Sequence, residues 1–291
     1  MSRVLSPARP RVAMVIGSGA LKCAAAFGVA RVLKEHQIPI DMVVGCSGGA
    51  FCASWLASGG GDIDEAIALF TEGWKDSFDQ IDYLSLASAV FPRLFGFKGS
   101  AHLVKDTRIN AGIAAYAGER LIEDLPIPLH MIATDFLTGE RVQLSKGRIA
   151  DAIRATIAMP LILPPWELDG RRLVDGGVSD PLPVAVAVKE GADIIIAVGF
   201  EDTLNTSFKS GLGMVSQLTS LLVNNLYRAQ FAFYNLTHDA ETLIIVPQFD
   251  RDVGLNDTHL IPYLVERGAA AAEAEMPYLH RLFAAAAAVP A

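Results

Sequence analysis

The stretch DMVVGCSGGAFCASW, residues 41–55, decides how the chain is read. Asp41 to Val44 is a short apolar run suited to a buried strand, Gly45 ends it, and Ala50, Phe51, Ala53 and Trp55 continue as a helix from Ser47 onward. At the junction Gly45-Cys46-Ser47-Gly48-Gly49 fits Gly-x-Ser-x-Gly. A strand that turns at once into a helix forces a sharp elbow. Gly45 and Gly49 relieve the crowding there, and Ser47 projects its hydroxyl over the helix N-terminus, whose free amides and partial positive charge favour an alkoxide. The same residues also fit a plain strand-to-helix turn with Ser47 as N-cap.

Upstream, Arg11 to Ile16 is a second apolar run ending at Gly17, and Leu21 to His36 has the length and spacing of a helix. The chain therefore opens strand, Gly-rich turn, helix, strand, turn, helix. The turn Gly17-Ser18-Gly19-Ala20-Leu21-Lys22 lies at the same end of the sheet as Ser47, so its amides are candidates for an oxyanion hole. It lacks the Gly-Lys-Ser/Thr ending of a phosphate-binding loop, and Lys22 stands where a dinucleotide fingerprint needs its third glycine. Read alone, it fits an ordinary glycine turn with Lys22 solvated better than an oxyanion loop.

Downstream, Asp62 with Glu65 resembles a helix start, and Ile63, Ala66, Ile67, Phe70 and Trp74 recur at helical spacing. Strands are expected at Leu129 to Thr134, Glu140 to Leu144, Asp193 to Val198 and Thr242 to Val246, and helices at Pro183 to Glu190, Met214 to Leu236 and Ile261 to Phe283. The sum predicts a three-layer α/β/α sandwich with a mainly parallel central sheet. One catalytic domain is expected over 11–283, after an extension at 1–10 and before a tail at 284–291. The apolar run Tyr83 to Phe97 fits a lid over 81–106, an element for peripheral membrane contact, or equally a buried core segment.

The 291 residues are 52% apolar and 19% charged, which favours a folded chain, and the mean hydropathy is +0.35. A net charge of −8 without a Lys/Arg cluster argues against nucleic acid as a partner. Cys23, Cys46 and Cys52 have neither disulfide nor zinc spacing, and no signal peptide is read at the start, so a cytoplasmic setting is expected. Neither a metal nor a cofactor is expected.

Five stretches together resemble the patatin-like phospholipases, in order and spacing over roughly residues 11 to 200. They are Gly17 to Lys22, Gly45 to Gly49, Thr134-Asp135-Phe136-Leu137-Thr138-Gly139-Glu140, Ala155-Thr156-Ile157-Ala158-Met159-Pro160, and Asp175-Gly176-Gly177 followed by Pro181-Leu182-Pro183. The resemblance implies a serine acyl hydrolase that splits lipid carboxylic esters, as a phospholipase A or lysophospholipase does. Ser47 would be the nucleophile and Asp175 its general base, with an oxyanion hole from Gly17, Ser18, Gly19 and Ala20 and no histidine needed. Lys22, Gly176 and Gly177 would be motif positions beside these. Cys23 stands where the family usually has glycine. If that position needs φ > 0, the loop is distorted, turnover is low and Cys23→Gly raises it; if Cys23 already lies in the helix at φ < 0, glycine only weakens the first turn. Two other readings are a Ser-His-Asp esterase using one of six histidines, and a lipid-binding or regulatory protein that keeps the fold with weak catalysis.

Overall fold

The computed structural model describes residues 9–75, 77, 78, 80, 82, 84, 85, 102–201, 211–237 and 240–287. Most of the expected lid at 81–106, including Tyr83 and 86–97, lies outside the described residues, as do residues 1–8 and 288–291. Arg9, from the expected N-terminal extension, makes a two-pronged ion pair with Asp41 at 2.7 Å.

Among the described residues, eight strands form one sheet: β1 (Val12–Ile16), β2 (Met42–Cys46), β3 (Leu129–Asp135), β4 (Arg141–Leu144), β5 (Trp166–Leu168), β6 (Arg171–Asp175), β7 (Ile194–Val198) and β8 (Glu241–Ile245). The order is β5-β6-β3-β2-β1-β7-β8, with β4 also on β3. β3, β2, β1, β7 and β8 run parallel, whereas β4, β6 and β5 are antiparallel additions. β1, β2, β3 and β7 are short runs buried on both faces, as crossover connections require, whereas β8, at the edge, is only partly buried.

Helices α1 (Ala25–Glu35), α2 (Gly49–Ala57), α3 (Ile63–Trp74), α4 (Thr107–Ala117) and α5 (Ile149–Thr156) precede α6 (Val184–Lys189), α7 (Gly211–Thr237) and α8 (Ile261–Ala287). On one face Val12, Met14, Ile16, Val43, Ile194 and Ile196 pack with α1, α2, α5 and α8. On the other, Ala13, Val15, Val44 and Ile195 pack with Leu182, Val184, Val186 and Tyr227. This alternation along each strand is the pleat at work, and it produces three layers. α1 and α8 meet at backbone distance, since a side chain built on Gly28 would come within 1.9 Å of Val265 O and one on Gly268 within 1.9 Å of Ala25 O. α8 runs on to Ala287, so the expected tail at 284–291 begins as helix. No helix among the described residues is long and apolar enough to cross a membrane.

The edges of β3 explain how the sheet builds a site. β2 pairs with Leu129 to Ile132, while β4 pairs with Met131 to Thr134, so β4 must occupy the opposite edge. β6 pairs with Ala133 to Asp135, where β4 already holds its edge, and is therefore on the edge that β2 has just left. β2 and β6 thus meet end to end along one edge of β3, with Cys46 opposite Ile132 and Asp175 opposite Ala133. The residue after Cys46 is delivered to the residue that ends β6.

Candidate active site

Ser47 follows β2 directly and has φ of 52°, in the left-handed region that costs a side-chain-bearing residue on the order of 1 kcal/mol. Crowding explains the glycines around it. A side chain on Gly45 would come within 2.7 Å of the Ala53 methyl, one on Gly48 within 2.4 Å of Ala20 O, and one on Gly49 within 2.6 Å of Gly17 O. The elbow and the Gly17 loop are therefore in backbone contact.

The Ser47 hydroxyl donates to Asp175 Oδ2 at 2.6 Å, and Asp175 Oδ1 accepts the Gly177 N–H at 2.7 Å. Both side chains are buried, and Asp175 N donates to Ala158 O at 3.0 Å. Burial pushes the Asp175 carboxyl up to about 6, against the opposing pull of the bonds from Ser47 and Gly177. A base of that strength takes a serine proton far more readily than an ordinary aspartate. Gly176 and Gly177 are required by close approach: a side chain on Gly176 would strike Ile132 O, and one on Gly177 would strike Ser18. Cys46, next to Ser47, is no rival nucleophile, because burial first and the Asp175 charge second push its thiol well above its ordinary value.

Only part of the expected oxyanion loop has amides to give. Gly17 N–H donates to Val198 O at 2.9 Å and Ser18 N–H to Pro181 O at 2.8 Å, so neither is available. The amides of Gly19, Ala20 and Gly48 have no acceptor among the described residues. Ala20, at φ 48°, is the strained position of the loop. Cys23 is not: it lies inside the 3-10 turn Ala20–Ala24 without a positive φ. Its thiol donates to Gly17 O at 3.4 Å, closing the loop on itself. Of the two backbones open to Cys23, the helical one is present, and the distortion tied to φ > 0 is absent. Lys22 is buried rather than solvated, and its Nζ donates to Glu201 O at 2.9 Å.

None of the histidines among the described residues bonds Ser47. His102 Nδ1 lies 3.2 Å from the Ser85 hydroxyl and Nε2 3.3 Å from Asp82, but that hydroxyl also accepts the His102 N–H at 2.9 Å and so serves as a chain-closing joint. His130 meets Gln143, and His36 meets His280; His238 lies outside the described residues. Asp135 Oδ1 accepts the Leu137 and Thr138 amides, and Asp180 is bound by Arg141 and Gln230. No group of three metal-ligating side chains occurs among the described residues.

Two contributors escape sequence reasoning. The Tyr227 hydroxyl, from α7, donates to Ser18 O at 2.7 Å and lies 3.0 Å from Pro181 O, clamping the Gly17 loop. Thr156 ends α5, and its Oγ1 accepts the Ser47 N–H at 2.8 Å. Thr156 sits in one of the five quoted stretches, so its presence was visible but its partner was not. Nothing in the sequence links Tyr227 to residue 18.

A model of the patatin-like phospholipase family matches residues 14–188. An uncharacterized NTE family protein of Mycobacterium tuberculosis is 37% identical over 196 residues, which are 67% of this chain and 51% of that protein. Patatin-like phospholipase domain-containing protein 7 of Rattus norvegicus is 29% identical over 189 residues, 64% of this chain and 13% of that protein. The chain thus spans about half the length of the most similar of these relatives, or less. Among solved structures, VipD from Legionella pneumophila is similar with a TM-score of 0.48 and 13% identity, over 92% of this chain and 66% of that one. The type III effector ExoU is similar with a TM-score of 0.44 and 15% identity, over 98% and 54%.

Proposed function

Because the chain belongs to the patatin-like phospholipase family, we propose that it is a serine acyl hydrolase that cleaves carboxylic esters of lipids with Ser47 as nucleophile and Asp175 as general base. The observation that carries the reading is the 2.6 Å hydrogen bond from a serine in a strained elbow to a buried, weakly acidic aspartate. As the Ser47 oxygen bonds to the acyl carbon, its proton passes to Asp175 Oδ2. The carbonyl oxygen, now negative, faces the free amides of Gly19, Ala20 and Gly48 at the start of α2. Collapse breaks the ester bond, and Asp175 returns the proton to the departing alcohol. Water then attacks the acyl-serine, giving its proton to Asp175, and on collapse Asp175 passes that proton to Ser47 Oγ as the fatty acid leaves. Peripheral contact with lipid would fall at this edge of the sheet, where Phe136 and Leu137, just past β3, stand exposed.

A fluorophosphonate should label the wild-type chain once, on Ser47, and Ser47→Ala should fold, resist labelling and release no fatty acid from lipid extracts. Hydrolysis by folded Ser47→Ala, or its loss on replacing one histidine with Asp175→Asn still active, would overturn the dyad. A wild type that binds lipid but is never labelled would mark a binding protein instead.

A further inference from the structure

The first rung between β2 and β3 is Val43 N–H to Pro128 O. Two residues further along each strand the next is due between positions 45 and 130, and the one after between Ser47 N–H and Ile132 O. That last rung is not made. Thr156 Oγ1 stands inside it, accepting the Ser47 N–H at 2.8 Å and donating its own proton to Ile132 O. The side chain is wholly buried, so it touches no substrate. Its helix is anchored from behind by Arg154, which donates to Asn110 Oδ1 at 2.8 Å and to Asp106 Oδ2 and Pro164 O at 3.0 Å each.

We propose that Thr156 is a positioning residue for the Ser47 nucleophile: its hydroxyl, wedged into the last rung, lets Ser47 leave the strand in the left-handed conformation that aims its oxygen at Asp175. The wedge satisfies both groups that the broken rung would orphan, the Ser47 N–H and the Ile132 carbonyl, so the strained elbow is held without an unpaired buried polar atom. It also removes the Ser47 N–H from the oxyanion hole, leaving Gly19, Ala20 and Gly48 as donors. Without the hydroxyl, Ser47 N–H and Ile132 O have only each other, and closing that rung draws Ser47 back towards the strand and its oxygen away from Asp175. The inference rests on Ser47 being the nucleophile.

The test compares Thr156→Val, which keeps the volume and loses the hydroxyl, with Thr156→Ser, which keeps the hydroxyl, counting active sites by fluorophosphonate titration. Thr156→Val should lower kcat per folded molecule on the order of 10²-fold with KM within about twofold, and slow labelling in proportion, as expected for a misplaced reacting group. Thr156→Ser should restore kcat to within about threefold. A Thr156→Val protein with wild-type kcat, or a Thr156→Ser protein as slow as Thr156→Val, overturns the inference. Should Thr156→Val not fold, Thr156→Cys serves, its sulfur being a weak acceptor; kcat at the wild-type level in that variant overturns it as well. Ser47→Ala, assayed alongside, separates the two readings: if it is inactive while Thr156→Val is fully active, only the role of Thr156 fails.

Discussion

Replacing Asp175 by asparagine should abolish the proposed hydrolysis and make the protein more stable. The carboxyl is raised from 3.8 to about 6 in the fold, roughly two units, and each unit is worth about 1.4 kcal/mol. The sign follows from proton linkage. A group that holds its proton more tightly folded than unfolded does not disfavour folding while protonated in both states, and its cost appears as pH rises from the unfolded value to the folded one. Asp175 therefore costs about 3 kcal/mol above pH 6 and nothing below about pH 4. Asparagine carries no charge to desolvate and keeps the contacts, Oδ1 accepting from Gly177 N–H and Nδ2 donating to Ser47 Oγ. Denaturant titrations at pH 4 and pH 8 should then show Asp175→Asn roughly level with wild type in acid and about 3 kcal/mol more stable at pH 8. Wild-type kcat/KM should climb with pH through a midpoint near 6, since only the ionised carboxylate accepts a proton. An Asp175→Asn protein no more stable at pH 8 than at pH 4, relative to wild type, would refute the desolvation argument. Activity that is level from pH 5 to pH 8 would refute the role of base.

Cys23→Gly should not raise turnover, because Cys23 has no positive φ to relieve; it should lower stability by about 1 kcal/mol through lost helical preference and the lost bond to Gly17 O, read as a reduced denaturation midpoint. Tyr227→Phe leaves Ser18 O without its buried donor, while Pro181 O keeps the Ser18 N–H, and should cost about 1–3 kcal/mol, with kcat falling more than KM rises as the Gly17 loop loosens.

The parallel core was legible in the sequence because each of its strands is a short apolar run next to a glycine or proline, as at Val12–Ile16 and Leu129–Asp135. Ser47 was legible because its elbow depends on neighbours in sequence, and Asp175 because its family motif is contiguous. The β5–β6 hairpin was missed: Trp166–Leu168 and Arg171–Asp175 carry charged residues on an edge, and period-2 reasoning has little to hold in three- and five-residue strands. α4 was missed too, its Asn-Ala-Gly-Ile-Ala-Ala core giving a weak apolar stripe. At Cys23 the family glycine left both a helical and a left-handed backbone open, and the structure has the helical one rather than the left-handed one. Here that conformation falls on Ala20, three residues earlier. The partners of Thr156 and Tyr227 could not be read at all, since they depend on how the layers close.

Gly17 N–H is held by Val198, Ser18 O by Tyr227, and the Gly28 face of α1 by Val265 and Gly268, all of them beyond residue 188, where the family match ends. A fragment excised at that boundary would carry both proposed catalytic side chains yet surrender the tethers of the loop that faces them. Heredity and mechanics therefore draw different borders in this protein. Recombination with a relative conserves the chemistry only if the shared segment travels with the later strands and the two long helices as a single inheritance.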